Sequence, residues 1–334
     1  VGPDLTRVAS KLNRDFAEPW IHHPKKFRPS TWMPHFFNQE NNGPGSENTL
    51  DPDPVLRTET EAMAVAHYLF TLSTPYAPIP LPEGLTGDAG RGRKLFESVG
   101  CLACHANVHE HGREMIVTDL TEREQRTERV AEALFDEMGY VDRVYHLIEN
   151  VPSDRDTIYS PETIEDRPVF TRVAPELSSV GSKLSRDWLF AWLKDPSAYD
   201  EHTHMPSLRL TDQEALDVTD YLLTLKDNTE FESGRFADDD AHLDMADDLV
   251  FLILTGQNSE RRSRAIMGDE GGELTETLVN ILRSSFGEDE VRALLDEQDI
   301  QSKKMLFLGN KMIAHYGCYA CHTVAGFQTS PPPG

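Results

Sequence analysis

All four cysteines of this 334-residue chain lie in two copies of one pentapeptide. The first is Cys101-Leu102-Ala103-Cys104-His105 and the second is Cys318-Tyr319-Ala320-Cys321-His322. No other feature constrains the fold as much. Two thiols at i and i+3 lie on one side of a helical turn. Each can form a thioether with one vinyl group of a haem, and the next residue, His, can turn its imidazole onto the iron. C-x-x-C-H is the attachment signature of c-type haem. Two other chemistries use C-x-x-C. A redox disulfide of the thioredoxin type needs a βαβ setting, of which the sequence gives no sign. A zinc site wants a second cysteine pair nearby, whereas here the second pair lies 217 residues on and has its own histidine.

The two motifs share an approach. Gly92-x-Lys94-x5-Gly100-Cys101 matches Gly309-x-Lys311-x5-Gly317-Cys318, both helix-like up to the cysteine. A second repeat lies elsewhere. Segment 1–34 aligns without a gap on 173–206, at an offset of 172, with 14 of 34 positions identical. The matches include Pro3/Pro175, Leu5/Leu177, Lys11/Lys183, Trp20/Trp192, Pro24/Pro196 and Met33/Met205. After Pro34 the first copy carries 19 extra residues rich in Asn, Gly, Pro and Asp, a surface loop. The alignment resumes at Thr58-x-x-Glu61 against Thr211-x-x-Glu214, each with the form of a capping box that opens a helix.

These elements together resemble class I c-type cytochrome domains, in the multidomain, multihaem style of bacterial cytochromes. The shared pattern is a helix into C-x-x-C-H, then G/A-P-x-L, a helix with Trp and a Pro stop, Met-Pro, and a closing amphipathic helix. The resemblance implies covalent haem c on Cys101 and Cys104 and on Cys318 and Cys321. It implies His105 and His322 as proximal iron ligands, Met205 as the distal ligand of the first haem, and Pro175 against the proximal His105. By the repeat, Met33 is the matching distal candidate for His322. The expected fold is mostly α: tandem cytochrome c-like helical domains with an acidic helical insert.

One departure is spacing, since His105 and Met205 stand 100 residues apart. The excess, 106–172, reads as an elaborated surface loop with a helix opened by Thr121-x-x-Glu124. His109, His111, His202 and His204 are alternative distal ligands for a bis-His centre. Met205 is preferred because Met-Pro repeats in register, while Trp32 replaces His204 and Ser30 replaces His202. His22 and His23 read as surface residues and His315 as structural. Trp20, Trp188 and Trp192 read as core, and Leu95, Phe96, Tyr221 and Leu222 as the helix crossing that closes a domain.

Charge narrows the partners. There are 57 acidic side chains against 32 basic ones, a formal net charge of −25. This argues against sequence-independent nucleic-acid binding and against docking on anionic lipid. Residues 227–300 hold 20 of the acidic and 6 of the basic side chains. They read as a solvated acidic helical module, with Leu274, Leu278, Ile281 and Leu282 on one face, whose charge suits a basic redox partner. The longest apolar run, Leu249 to Leu254, is too short for a membrane span.

The expected organisation is therefore 1–79 as the back half of a haem domain, 80–226 as a whole one, 227–300 as the acidic module, and 301–334 as the front half of another. The chain reads as a fragment of a longer multihaem protein. Its two terminal halves are homologous complements that can dock on each other as a composite, circularly permuted domain. The resemblance implies electron transfer rather than catalysis, with redox proteins as partners and a periplasmic or otherwise exported location. The alternative is the cytochrome part of a haem-dependent oxidoreductase, a dehydrogenase subunit or peroxidase-like enzyme, with an open distal site.

Overall fold

The computed structural model describes residues 2–27, 31–37, 53–76, 79–105, 174, 175, 177, 179–226, 236, 238–269 and 272–328. Among them every regular element is helical. The chain divides into two compact units: residues 77–229 form one, and residues 1–76 with 230–334 form the other. The insert 106–172, with His109, His111 and Thr121, lies outside the described residues.

The 172-residue repeat folds as a repeat. In the discontinuous unit, α1 is Val8–Lys11, α2 Arg14–His22, α3 Pro24–Phe27 and α4 Pro54–Thr71. The continuous unit has α5 at Ala89–Ser98, then α6 at Val180–Lys183, α7 at Arg186–Lys194 and α8 at Pro196–Tyr199. Both ends of α6, α7 and α8 fall 172 residues after those of α1, α2 and α3. Each copy holds the same trio of rings. Phe16 stacks on Trp20 and Phe27 meets both edge-on; Trp188 stacks on Trp192 and Tyr199 meets both edge-on.

The closing helix of the continuous unit is α9, Asp212–Thr224, which Thr211 and Glu214 open with a reciprocal capping box. It crosses α5 at backbone distance. A Cβ on Gly92 would stand 1.9 Å from the Asp217 carbonyl oxygen, so only glycine admits this approach. Phe96 and Tyr221 pack beside the crossing, their rings 5.4 Å apart. Across it the buried Asp217 carboxylate accepts from Arg91 Nε and Nη2, both at 2.8 Å, and from the Asp88 N–H at 2.8 Å.

The discontinuous unit repeats this crossing with residues from both ends of the chain. Helix α14, Ile300–Tyr316, lies across α4, and a Cβ on Gly309 would stand 2.2 Å from the Ala64 carbonyl oxygen. Residues 1–76 and 301–334, the halves expected to dock on each other as a composite domain, lie in one compact unit with one core. The first capping expectation is corrected. Helix α4 starts at Pro54, and Asp53 caps it by accepting from the Leu56 N–H at 3.0 Å. Thr58 lies inside the helix, donating its hydroxyl to the Val55 carbonyl at 3.0 Å. An Asp followed by a Pro at the first helical position is the stronger start.

The acidic stretch is likewise not a module of its own. Its helices are α10 (Asp240–Thr255), α11 (Glu260–Met267), α12 (Glu273–Phe286) and α13 (Glu288–Asp296). Ala246, Leu249 and Val250 of α10 and Leu274, Leu278 and Leu282 of α12 belong to the same buried cluster as Ala64, Val65, Leu306 and Leu308. The physical reason lies in α4, which is buried over the whole run from Glu61 to Ala66. A helix apolar on every side needs cover on every side. Most acidic side chains of the stretch are exposed among the described residues, while Asp269 is half-buried against Lys303. Among the described residues no helix is long and apolar enough to cross a membrane.

Candidate functional site

Each C-x-x-C-H begins at a glycine in the left-handed region. Gly100 has φ 96° and Gly317 φ 66°, conformations that an L-side chain rarely adopts. The glycine stops the preceding helix and starts a single 3-10 turn, Cys101–Ala103 or Cys318–Ala320. The carbonyl of the first cysteine accepts from both the second cysteine and the histidine. These bonds are 3.2 and 2.9 Å for Cys101, and 3.2 and 3.0 Å for Cys318. The turn thus presents both sulfurs and the imidazole from five residues. All four thiols are free. Cys101 and Cys318 are half-buried, and burial pushes each thiol up to about 11. Cys104 and Cys321 are exposed.

The histidines are aimed by proline carbonyls. His105 Nδ1 donates to the Pro175 carbonyl at 2.8 Å, and His322 Nδ1 donates to the Pro3 carbonyl at 2.8 Å. A carbonyl only accepts, so each bond puts the proton on Nδ1 and leaves the Nε2 lone pair for a metal. Burial lowers the pKa of His105, which favours the neutral, ligating imidazole. Two main-chain bonds tie the N-terminal segment beside His322: Gly2 N–H to the Cys321 carbonyl at 2.7 Å and Leu5 N–H to the Thr323 carbonyl at 3.0 Å. Gly2 lies against the ring itself, where a Cβ would come within 2.3 Å of Cε1.

The two methionines also share a setting. The Met205 N–H donates to Thr203 Oγ1 and the Met33 N–H to Thr31 Oγ1, both at 3.2 Å. Both side chains are half-buried. Met205 belongs to the unit that contains His105, and Met33 to the unit that contains His322. The Met205 sulfur accepts from Trp192 Nε1 at 2.9 Å. Two thiols and an imidazole of fixed tautomer on one turn, with a methionine thioether in the same unit, are the residue types that haem c takes. Among the described residues no three His, Cys, Asp or Glu side chains converge as a metal cage.

Other candidates separate. His202 and His204 are exposed beside Met205, as solvated loop residues are. His315 is also exposed, its ring edge-on to Tyr316. His22 and His23 are not surface residues. His22 is half-buried, stacks on Phe37 with ring centres 5.8 Å apart, and burial holds its pKa down to about 4. The His23 ring lies 4.1 Å from that of His35. Directly after Pro34, His35 lies against His23 and Phe37 against His22, both on or at the end of α2, which the adjacency argument could not anticipate. Sequence reasoning placed Trp192 in the core and missed its bond to Met205. It placed Pro3 in the repeat, and the match to Pro175 was the signal for its role at His322.

Behind the second motif lies a pairing absent from the first. Tyr316 donates to Glu61, which also accepts from Arg57 Nε at 2.9 Å. Burial, with the Glu61 carboxylate, pushes the Tyr316 hydroxyl far above its ordinary pKa, so it remains a donor. Beyond the motif, Val324 and Ala325 are buried, and the Gly326 N–H donates to Ser285 Oγ on α12 at 2.9 Å. The acidic stretch therefore holds the chain leaving Cys321-His322. No family model matches this chain, and no match is found among curated proteins or among solved structures.

Proposed function

We propose that this chain is an electron-transfer protein carrying two covalently attached c-type haems, one in each unit, with His105 and Met205 as iron ligands in one and His322 and Met33 in the other. The observation that carries the reading is the repetition: at both motifs an identical cysteine turn ends in a histidine whose Nδ1 is held by a proline carbonyl at 2.8 Å. A metal-ligating histidine is characteristically held this way. When bound, each haem supplies one-electron exchange between Fe(II) and Fe(III). The protein residues fix ligand orientation. Cys101, Cys104, Cys318 and Cys321 anchor the porphyrin edge. Pro175 and Pro3 fix the imidazole tautomer, and Thr203 and Thr31 hold the main chain of the two methionines.

With two protein ligands on each iron, no position is left for a substrate, so the chain acts as a carrier. Its partners are redox proteins, and its net charge of −25 favours a basic one. Thioether attachment belongs to the exported compartment of bacteria in cytochromes of this kind, so a periplasmic location goes with the reading.

The test is a pyridine haemochrome assay on protein extracted with acid-acetone under denaturing conditions. About two haems per chain are expected. Loss of all haem on extraction, or stoichiometric zinc in its place, overturns the proposal. Carbon monoxide binding to the reduced protein separates a six-coordinate carrier, which resists it, from a haem enzyme with an open site.

A further inference from the structure

Trp192 touches a candidate iron ligand through a directed bond. The indole N–H only donates, so the 2.9 Å contact from Nε1 to the Met205 Sδ makes the sulfur an acceptor. The ring cannot easily turn away. Trp188, itself buried, stacks on it with centres 5.0 Å apart and planes 16° from parallel. Tyr199 closes the edge at 6.1 Å and 77°. Met205 is held at its other end by the bond of its N–H to Thr203 Oγ1. A methionine is otherwise a long flexible side chain with three free torsions. Here the main chain and the sulfur are both fixed, and one sulfur lone pair remains for a metal.

We infer that Trp192 is a positioning residue for Met205, which selects the sulfur lone pair presented to the iron and raises the midpoint potential of the haem on Cys101 and Cys104. The inference rests on the His/Met haem reading proposed above. The electrostatics give the sign. The indole N–H points its positive end at the ligand atom. It withdraws electron density from the sulfur and disfavours the higher charge of Fe(III) over Fe(II), in a partly buried setting where dipoles act strongly. The reduced form is therefore stabilised.

The experiment uses the full chain loaded with haem. Trp192→Phe removes the donor and keeps an aromatic ring. Benzothienylalanine at position 192 keeps the bicyclic shape and removes the N–H alone, which guards against a packing artefact. The readouts are a redox titration that resolves the two haems and the sulfur-to-iron band in the red. Both replacements are expected to shift one midpoint downward, so that at a fixed mediator potential the reduced fraction of that haem falls several-fold, with the other midpoint unmoved. Unchanged midpoints in the benzothienylalanine protein, with the red band intact, overturn the role of Trp192 while leaving the carrier reading in place. A parent protein with covalent haem but no red band, or one in which Met205→Ala changes neither midpoint, overturns the ligand assignment itself, and the role of Trp192 with it.

Discussion

His322 and Pro3, 319 residues apart in sequence, are joined by one hydrogen bond of 2.8 Å from the imidazole Nδ1–H to the proline carbonyl. The equivalent bond in the continuous unit spans 70 residues, from His105 to Pro175. One local geometry is thus reached by two chain topologies. The second cysteine turn depends for its histidine orientation on the far end of the chain.

Deleting residues 2–5 should therefore affect the two motifs unequally. The bonds from Gly2, Leu5 and Pro3 to the 321–323 segment disappear. Mass spectrometry of haem peptides should find Cys101 and Cys104 loaded as before. Loading of Cys318 and Cys321 should fall several-fold. Equal loading of both motifs would contradict the dependence.

Replacing Met205 with His should lower the midpoint of one haem and remove its sulfur-to-iron band, because an imidazole is a stronger donor to Fe(III) than a thioether. The readout is a redox titration with visible spectra. If Met205→Ala left both unchanged, the distal ligand would be one of the histidines His109, His111, His202 or His204.

Acid should loosen the discontinuous unit through His67. Burial, with Arg14 adding to it, lowers this side chain from 6.5 to about 4 in the fold. The folded pKa lies below the unfolded one, so the unfolded chain takes up the proton first. The stability penalty starts as pH falls through about 6.5 and is complete below about 4. Its size is roughly 3 kcal/mol. Denaturant melts between pH 7 and 4 should lose stability steeply in the parent and less steeply in His67→Gln.

The ion pair at the α5–α9 crossing should respond to loss of either partner. The Asp217 carboxylate is almost wholly buried, and Arg91 supplies two of its hydrogen bonds while staying half-exposed. Arg91→Leu leaves a buried carboxylate short of donors and should destabilise the continuous unit. Adding Asp217→Asn should recover part of that loss, which a double-mutant cycle by denaturant melting would detect.

Gly92→Ala and Gly309→Ala test the crossings. Each Cβ would collide with a main-chain oxygen, that of Asp217 or that of Ala64. Because a helix backbone cannot step aside cheaply, each should destabilise its own unit by about 1–3 kcal/mol. Melting followed by hydrogen exchange would assign the loss to one unit at a time.

Much of the site was legible because it is written twice. The gapless match of 1–34 to 173–206 carries the ends of three helices, the aromatic trio and the proline carbonyl that faces each histidine. The burial of the acidic stretch was hidden because composition describes outer faces and cores together: α12 shows charge and still buries Leu274, Leu278 and Leu282. A subtler signal did exist. Helix α9 carries Gln213, Asp217 and Asp220 where α4 carries Thr60, Ala64 and His67. The loss of charge along α4 marks a face that something covers. The start of α4 was misplaced because Thr58-x-x-Glu61 has the form of a capping box, and the pattern alone cannot exclude a helix that has already begun.

The interrupted unit also sets an order of assembly. A chain emerging from its N-terminus delivers everything that residues 77–229 need by residue 229, and that unit can close at once. The first four helices have no such completion. Ala62, Ala64 and Ala66 of α4 wait with their apolar faces bare until α14 arrives some 240 residues later. The segment that bears Cys318, Cys321 and His322 follows α14 directly. Cys318, Cys321 and His322 are therefore made together with the helix that closes the discontinuous unit, and residues 2–5, which bond to them, must wait for it.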